Sequence, residues 1–233
     1  MRIIIATIRK WNLENSKNFI LEHPEHDVQL ITERSCFIKE TVEAFSPDYI
    51  FFTHWCWMIP EWAYGQYRCI LFHPSDLPRG RGGSPIQNQI KDGYTRTMIS
   101  AIAVEKEVDS GAVYLKRELS LMGTAEEIFI RESKIIFEDM IPAIMESGVV
   151  PKAQEGRSSV YKRRKPEQSV LPAETDLIGL FDHIRMLDAD GYPAAFLKWG
   201  GYEFQFTRPK LCVGEIICDV KIKIDDSAGE NSK

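Results

Sequence analysis

Short apolar segments alternate with helical patterns through the first third of the chain, and this alternation restricts the fold more than any other feature. Strands are predicted over residues 2–7, 28–32, 48–53 and 69–72, and helices over about 13–22 and 37–45. Elements in this order form βαβ units, in which helices cover both faces of a mainly parallel sheet. Ligands bind such sheets at the carboxyl ends of the strands. The loops after residues 7, 53 and 72 are therefore the first places to look for a site.

The middle of the chain predicts two more strands and a long helix. The strands lie near residues 95–105 and 112–119, and the helix begins at a capping box formed by Thr124 and Glu127. Pro142 is expected to kink or shorten this helix, because proline lacks the backbone N–H that a helix interior needs.

A stretch rich in proline, glycine, serine and charge covers residues 148–172. It predicts a boundary between a domain of residues 1–150 and a small α+β domain of residues 151–233. The second domain is expected to hold a helix near 175–187, a hairpin and a last strand. The hairpin pairs residues 196–199 with 202–206 through Gly200 and Gly201, the strand covers about 215–223, and a polar tail from Asp225 is expected to be disordered.

Composition disfavours several classes of function. The net charge of −5 argues against general binding to nucleic acid, although a local basic patch remains compatible with it. No segment approaches the roughly 20 apolar residues of a membrane span, and the amino terminus lacks a secretory signal. The five cysteines include no CxxC pair, so neither a disulfide framework nor a zinc site is expected. These features predict a soluble cytoplasmic enzyme.

The most unusual loop of the sequence covers residues 73–86, directly after a predicted strand, and begins with His73. It contains several glycines and prolines, which fix an irregular path and leave little side-chain bulk beside a ligand. A histidine at a strand end can act as a general base near neutral pH, because its ordinary pKa is about 6.5. A lone histidine in a surface loop would be the ordinary alternative.

A second informative segment covers residues 108–112, between two predicted strands, and contains Asp109. An aspartate beside small residues is common in turns. Paired with His73 it gains meaning, because a carboxylate fixes the tautomer of an imidazole and stabilises the imidazolium that forms on proton uptake.

These segments together resemble the motifs of folate-dependent formyltransferases. The resemblance lies in residues 73–78, in residues 81–86 and in residues 108–112. It implies a Rossmann-like domain, N10-formyltetrahydrofolate as the formyl donor, no metal, and a formyl group bound between His73 and Asp109.

One position departs from the family. Formyltransferases carry an asparagine two residues before the histidine, where this chain has Leu71. That asparagine is expected to donate a hydrogen bond to the oxyanion, and loss of such a donor can cost about 10²–10³ in rate. Candidates to replace it are His54, Asn88 and Gln87, or protonated His73 itself. A packed histidine in an aromatic segment is the alternative for His54.

The family resemblance also assigns a pteridine pocket to the segment after the third strand. Trp57, Met58 and Ile59 lie there, and Val108 precedes the aspartate of the second motif. Aromatic and methionine side chains suit a flat heterocycle, so these four residues are predicted to bind the cofactor. Ordinary core packing is the alternative for each.

The acceptor amine is predicted to belong to a nucleotide-linked amino sugar, because the pattern resembles the sugar N-formyltransferases, most of all those of the pseudaminic acid pathway. The chain is acidic, and only about 70 residues follow the boundary, which disfavours tRNA as the substrate. The residues predicted to bind the substrate are Arg9, Lys10, Trp11, Arg81, Gln87, Tyr161 and Lys162. Cations near a strand end attract phosphate, and an aromatic ring can stack on a base. A solvated linker is an equal alternative for residues 162–165.

The predicted reaction is direct acyl transfer, in which His73 accepts a proton from the attacking amine and Asp109 stabilises the charged ring. The alternatives are formylation of another small amine or of tRNA, and a non-catalytic protein that binds folate or a nucleotide. A homodimer is also compatible with the exposed-looking hairpin.

Overall fold

The computed structural model describes residues 1–225, apart from the side chain of Ser147. The predicted tail from Asp225 therefore lies almost wholly outside the described residues. Within that range the strands are β1 Arg2–Ala6, β2 Asp27–Ile31, β3 Tyr49–Phe52, β4 Arg68–His73, β5 Arg81–Gly82, β6 Arg96–Ala103, β7 Val113–Ser120, β8 Val160–Tyr161, β9 Ala195–Trp199, β10 Tyr202–Cys212 and β11 Glu215–Ile224. The helices are α1 Lys10–Glu22, α2 Lys39–Phe45, α3 Glu61–Tyr64, α4 Pro85–Lys91, α5 Ala125–Ile135, α6 Ile141–Ser147 and α7 Leu177–Arg185. None of these helices is long and apolar enough to cross a lipid bilayer.

The described chain forms two compact units that are each discontinuous in sequence. The first contains residues 1–85, 96–120 and 129–161, and the second contains residues 86–95, 121–128 and those from 162 onward. The boundaries of these units differ from those of the predicted domains, which cover residues 1–150 and 151–233. The reason is that β8 pairs with β5, and Lys152 pairs with Val113, so residues 151–161 are bonded to strands of the first unit.

The first unit is built on a six-stranded sheet in the order β2-β1-β3-β4-β6-β7. The first four strands are parallel, and β6 and β7 add to them in antiparallel register. The strands β1 and β3 are buried over almost their whole length, as expected for strands covered on both faces. The predicted α/β class with a mainly parallel sheet is confirmed.

The long helix predicted after β7 is interrupted. Its start is as expected, because Glu127 accepts hydrogen bonds from the backbone N–H and the hydroxyl of Thr124. Five residues of π-helix, Ile136–Met140, separate α5 from α6, and Pro142 lies in the first turn of α6. Because the helical backbone is continuous from the π-helix into α6, the N–H that Pro142 lacks leaves one helical hydrogen bond unmade.

The second unit contains α7 and a three-stranded antiparallel sheet in the order β11-β10-β9. The hairpin between β9 and β10 turns on Gly200 and Gly201, which have φ of 60° and 81°. Two consecutive positive φ angles define a type I′ turn, which glycine adopts without strain. The predicted hairpin is therefore present, with longer strands than expected.

Candidate active site

His73 is the last residue of β4, so its side chain lies at the carboxyl end of the parallel strands. It is buried, and its Nε2 lies 2.8 Å from the carbonyl oxygen of Gly80 in the loop that follows. Because a carbonyl oxygen only accepts, Nε2 must carry the hydrogen in this contact. The loop thus bends back over the histidine and binds its outer nitrogen.

Asp109 lies between β6 and β7 and faces the other ring nitrogen. Its Oδ2 is 3.5 Å from His73 Nδ1, and both side chains are buried. The same oxygen accepts a hydrogen bond of 2.8 Å from the backbone N–H of Gly82. Both ring nitrogens therefore face acceptors, and an imidazolium satisfies both where a neutral ring satisfies one. The structure brings together the two residues predicted to handle the proton.

Gly82 is required by this arrangement. Its φ is 94°, and a Cβ at this position would collide with the backbone carbonyl oxygen of Tyr161 in β8. Its N–H is also the donor to Asp109. A residue with a Cβ would displace this N–H, and Asp109 would lose its backbone donor. Gly82 is therefore needed to hold the Asp109 carboxylate in place.

Gln154 is a residue that the sequence reasoning missed. Its side-chain amide donates to the carbonyl oxygens of Asp109 and Gly111, at 2.8 and 2.9 Å. Its Oε1 accepts from Arg81 Nε and Nη2, at 3.2 and 2.8 Å. Gln154 thus links the histidine loop to the aspartate loop. Nothing in its polar surroundings in the sequence marks it.

Arg81 was predicted to bind the substrate, and the structure places it differently. Besides the two bonds to Gln154, its guanidinium lies 3.9 Å from the carboxylate of Glu107. A guanidinium held by these partners fixes the loop geometry, so a role in positioning suits it better than direct binding of a phosphate.

Leu71 offers no hydrogen bond to replace the family's asparagine. It lies two residues before His73 in β4 and packs against a buried apolar cluster that includes Ile50, Phe52 and Cys69. A polar side chain here would enter apolar surroundings, which explains a leucine in packing terms. Leu71 itself therefore offers no hydrogen-bond donor to an oxyanion.

His54 was one candidate for that donor, and it lies among aromatic rings. Its ring meets Trp11 and Phe129 edge to face, with centroid distances of 5.7 and 4.8 Å. Burial, assisted by the positive charge of Arg9, lowers the pKa of His54 to about 3. The ring is therefore neutral at physiological pH and cannot stabilise an oxyanion as a cation.

The other two candidates lie on α4. Asn88 already donates its side-chain amide to the carbonyl oxygen of Lys162, at 3.1 Å. Gln87 is buried, and its Nε2 finds no hydrogen-bond partner among residues 1–225. A buried donor without a partner costs free energy unless a ligand satisfies it. Of the three candidates, Gln87 has the donor best suited to a ligand.

The residues predicted to bind the pteridine lie in two exposed or partly exposed loops. Met58 is 73% exposed and Val108 is 50% exposed, so both can contact a ligand. Trp57 meets Trp55 edge to face at 4.8 Å, and Ile59 packs against the apolar cluster under Leu71. Ile59 therefore contributes to the core, while the remaining three stay predicted cofactor contacts.

The predicted substrate residues near β1 divide into two kinds. Arg9 is the N-cap residue of α1 and Lys10 its first residue, which puts both at the carboxyl end of β1. Trp11 is only 4% exposed and stacks on Phe129 with an interplanar angle of 7°. It is not accessible to a nucleotide base, so that prediction was wrong. The sequence did not show that a tryptophan in this position would face the sheet.

Tyr161 and Lys162 lie at the end of β8. The ring of Tyr161 covers Gly80, where a Cβ would lie 2.8 Å from its Cε2. Tyr161 therefore closes the histidine loop, and its face is in contact with the protein. The side chain of Lys162 is exposed, as the prediction of phosphate binding requires.

A buried acid near His54 was also missed by the sequence reasoning. Glu132 lies on α5, one turn after Phe129, and burial raises its pKa to about 8. The hydroxyls of Thr7 and Thr53, at the ends of β1 and β3, are buried and find no partner among the described residues. Beside the positive charge of Arg9, these polar groups are therefore neutral at physiological pH.

Comparison with known proteins identifies the families that the sequence matches. Residues 9–132 match a family described as formyl transferase, and residues 166–223 match one described as methionyl-tRNA formyltransferase, C-terminal domain. The family confirms the expected donor, since its members use N10-formyltetrahydrofolate.

Three relatives illustrate the range of similarity. The chain is 47% identical to a methionyl-tRNA formyltransferase from Clostridium thermocellum, with a TM-score of 0.95 over 96% of this chain and 99% of that one. It is 24% identical to the methionyl-tRNA formyltransferase of Bacillus licheniformis, over 74% of this chain and 57% of that protein. A likely sugar N-formyltransferase from Mycobacterium tuberculosis shares the fold at 21% identity, with a TM-score of 0.66 over 84% and 90% of the chains. The chain thus spans 57–62% of the length of the first curated relatives.

These comparisons contradict two predictions. The nucleotide-linked amino sugar, with its pseudaminic acid pathway, was wrong, because the strong similarities are to methionyl-tRNA formyltransferases and the sugar enzymes match only at fold level. The exclusion of a nucleic-acid partner was wrong for the same reason. Net charge misled the prediction, since phosphate contacts depend on local clusters of cations and not on the sum over the chain.

Both the family matches and the geometry around His73 and Asp109 lead to one conclusion. The chain belongs to the formyl transferase family.

Proposed function

We propose that this protein transfers a formyl group from N10-formyltetrahydrofolate to the amine of methionyl-tRNA. The observation that carries the proposal is the 47% identity to the Clostridium thermocellum methionyl-tRNA formyltransferase, which extends over nearly the whole of both chains. The match of residues 166–223 to the C-terminal domain of such enzymes supports it independently.

Folate binding is supported by the residues at the ends of β3 and β6. Trp57, Met58 and Val108 present aromatic and apolar side chains that are at least partly exposed, as a flat heterocycle requires. The cofactor supplies the activated formyl group. The protein supplies the groups that bind the acceptor amine and handle its proton.

His73 and Asp109 carry the proton chemistry in this proposal. Nε2 of His73 points away from Asp109, so it meets the attacking amine once the carbonyl of Gly80 gives way. It accepts the amine's proton in the tautomer that carries the ring hydrogen on Nδ1, facing Asp109. Proton uptake produces an imidazolium, whose second N–H faces the buried carboxylate. Asp109 therefore stabilises the charged ring, and the charged ring can in turn stabilise negative charge on the formyl oxygen.

A local basic cluster offers contacts to the tRNA phosphates despite the acidic chain. Lys162, Arg163 and Lys165 are exposed and adjacent in sequence, and Arg164 between them is held by a bond to the carbonyl oxygen of Gln168. Each phosphate contact releases counterions, so affinity should fall steeply as salt rises.

The test is formylation of charged initiator tRNA by the purified chain with N10-formyltetrahydrofolate. Release of tetrahydrofolate and formylmethionine on the tRNA are measured together, with uncharged tRNA and free methionine as controls. We expect both products only with methionyl-tRNA. Folate turnover with free methionine or another small amine, and none with methionyl-tRNA, would overturn the proposal.

A further inference from the structure

Two histidines and a glutamate converge in the turn between α1 and β2. α1 ends at Glu22, and the N–H of His23 donates to the carbonyl oxygen of Phe19. The N–H of His26 then donates to the carbonyl oxygen of His23, which closes the turn directly before β2. This turn lies at the amino end of the parallel strands, at the opposite edge of the sheet from His73.

The distances between the side-chain atoms match those around a bound metal ion. Oε1 of Glu25 is 3.4 Å from His23 Nδ1 and 3.4 Å from His26 Nε2, and the three atoms all lie within 4.8 Å of one another. Ligands at about 2.0–2.1 Å in a tetrahedral zinc site are separated by about 3.3–3.4 Å. The two separations that involve Glu25 Oε1 therefore match a tetrahedral edge, and the separation between the two nitrogens is at most 4.8 Å.

The two imidazoles are held in place by the surrounding structure. Their rings are parallel within 4°, with centroids 6.0 Å apart. Phe19 packs against the His23 ring at 4.6 Å, and the side chain of His26 is 13% exposed. The two histidine side chains thus lose little conformational entropy when they bind an ion, and this raises the affinity that a few ligands can provide.

The chemistry of the ligands selects the ion. Two imidazole nitrogens with one carboxylate oxygen suit a divalent transition metal such as Zn²⁺, whereas Ca²⁺ and Mg²⁺ prefer oxygen ligands alone.

We propose that His23, Glu25 and His26 bind one divalent transition metal ion of the zinc class. The three ligands leave a fourth position for water. All three ligands lie in the turn that connects α1 to β2, so the ion holds this turn in one conformation. Its distance along the sheet from His73 gives it a structural role and separates it from formyl transfer.

The test uses the full chain after treatment with a chelator, titrated with ZnCl₂ by calorimetry and with Co²⁺ by visible spectroscopy. We expect one ion per chain, a tetrahedral Co²⁺ spectrum and a higher melting temperature with Zn²⁺. His23→Ala, His26→Ala and Glu25→Gln should each weaken binding by at least about tenfold. Glu22→Gln removes an exposed carboxylate of the same turn outside the cluster and should leave affinity unchanged.

Other outcomes would contradict the proposal. Cys36 and Cys56 are exposed free thiols, and a thiolate-to-cobalt charge-transfer band would show that they bind the ion instead. Equal affinity in wild type and in His26→Ala would also exclude the cluster. Circular dichroism of each variant shows that the loss of binding does not come from unfolding.

Discussion

Two histidines lie at the carboxyl ends of neighbouring parallel strands, and their surroundings give them opposite properties. His73 ends β4 and has a carboxylate at one ring nitrogen and a carbonyl oxygen at the other. His54 follows β3 and is enclosed by Trp11 and Phe129. The first environment offers a hydrogen-bond acceptor at each ring nitrogen, whereas burial in the second keeps the ring neutral at physiological pH. A histidine is therefore identified as a proton-handling residue by the groups that contact its ring, and not by its position at the sheet edge alone.

The largest expected effect comes from breaking the pair at His73. His73→Ala or Asp109→Asn should lower kcat/KM for formyl transfer by about 10³–10⁴, because the first removes the proton acceptor and the second its charge partner. Steady-state kinetics with saturating folate donor measure the effect. If either variant keeps more than a tenth of wild-type activity, the pair is not the proton-handling group.

His54 should affect stability at acid pH. Its pKa in the folded state is about 3, below the ordinary value of 6.5, so the unfolded chain binds more protons between these values. The contribution of the neutral His54 to the free energy of unfolding is therefore complete above about pH 6.5 and is lost as the pH falls toward 3. Urea unfolding at pH 4.5 and 7.5 should show a His54 contribution to this loss of about 3 kcal/mol.

His54→Phe, which keeps an aromatic ring among its neighbours, is the variant that isolates this contribution. It should show less of the acid loss than wild type. An identical loss in both proteins would mean that His54 does not stay neutral in the folded state.

Glu132 should produce the opposite dependence in the same aromatic region. Its pKa in the folded state is raised to about 8 from 4.5, so the folded chain binds more protons in this window. The contribution of the protonated Glu132 to the free energy of unfolding is therefore complete below about pH 4.5 and is lost as the pH rises through 8. Glu132→Gln stays neutral and should be more stable than wild type at pH 8.5, by about 4–5 kcal/mol. Equal stability of the two proteins at pH 8.5 would show that the acid reaches solvent.

The smallest expected effect concerns Gln154, which holds the aspartate loop without reaching the substrate. Gln154→Ala should lower kcat by about tenfold with little change in KM, because Asp109 would be less well placed. Gln154→Glu keeps the acceptor for Arg81 but loses the donors to the two carbonyl groups. It should therefore behave like the alanine variant; wild-type kcat in Gln154→Glu would assign the effect to Arg81 alone.

Much of the fold could be predicted because local sequence determined it. The apolar runs gave β1 to β4, and the capping box at Thr124 gave the start of α5. The Gly200-Gly201 pair gave the hairpin. Pro142 predicted a disturbance of the long helix, but the residue pattern did not predict that it would take the form of a π-helix over Ile136–Met140.

The candidate site was predictable in part. His73 and Asp109 could be paired because the family motifs mark both. Gln154 and Glu132 carried no signal, since a glutamine in a polar stretch and a glutamate on an amphipathic helix are ordinary in sequence. Their importance arises from burial and from partners far away along the chain, which only the folded structure shows.

The pairing of β8 with β5 has a consequence for the order in which the protein becomes active during synthesis. Both His73 and Asp109 have left the ribosome well before residues 154–161, but Gln154 and β8 complete the loops that hold them. A nascent chain that ends at residue 150 thus contains the proton-handling pair without its supports. Domains generally fold as units during translation, so competence for formyl transfer should arise only after Tyr161 has emerged.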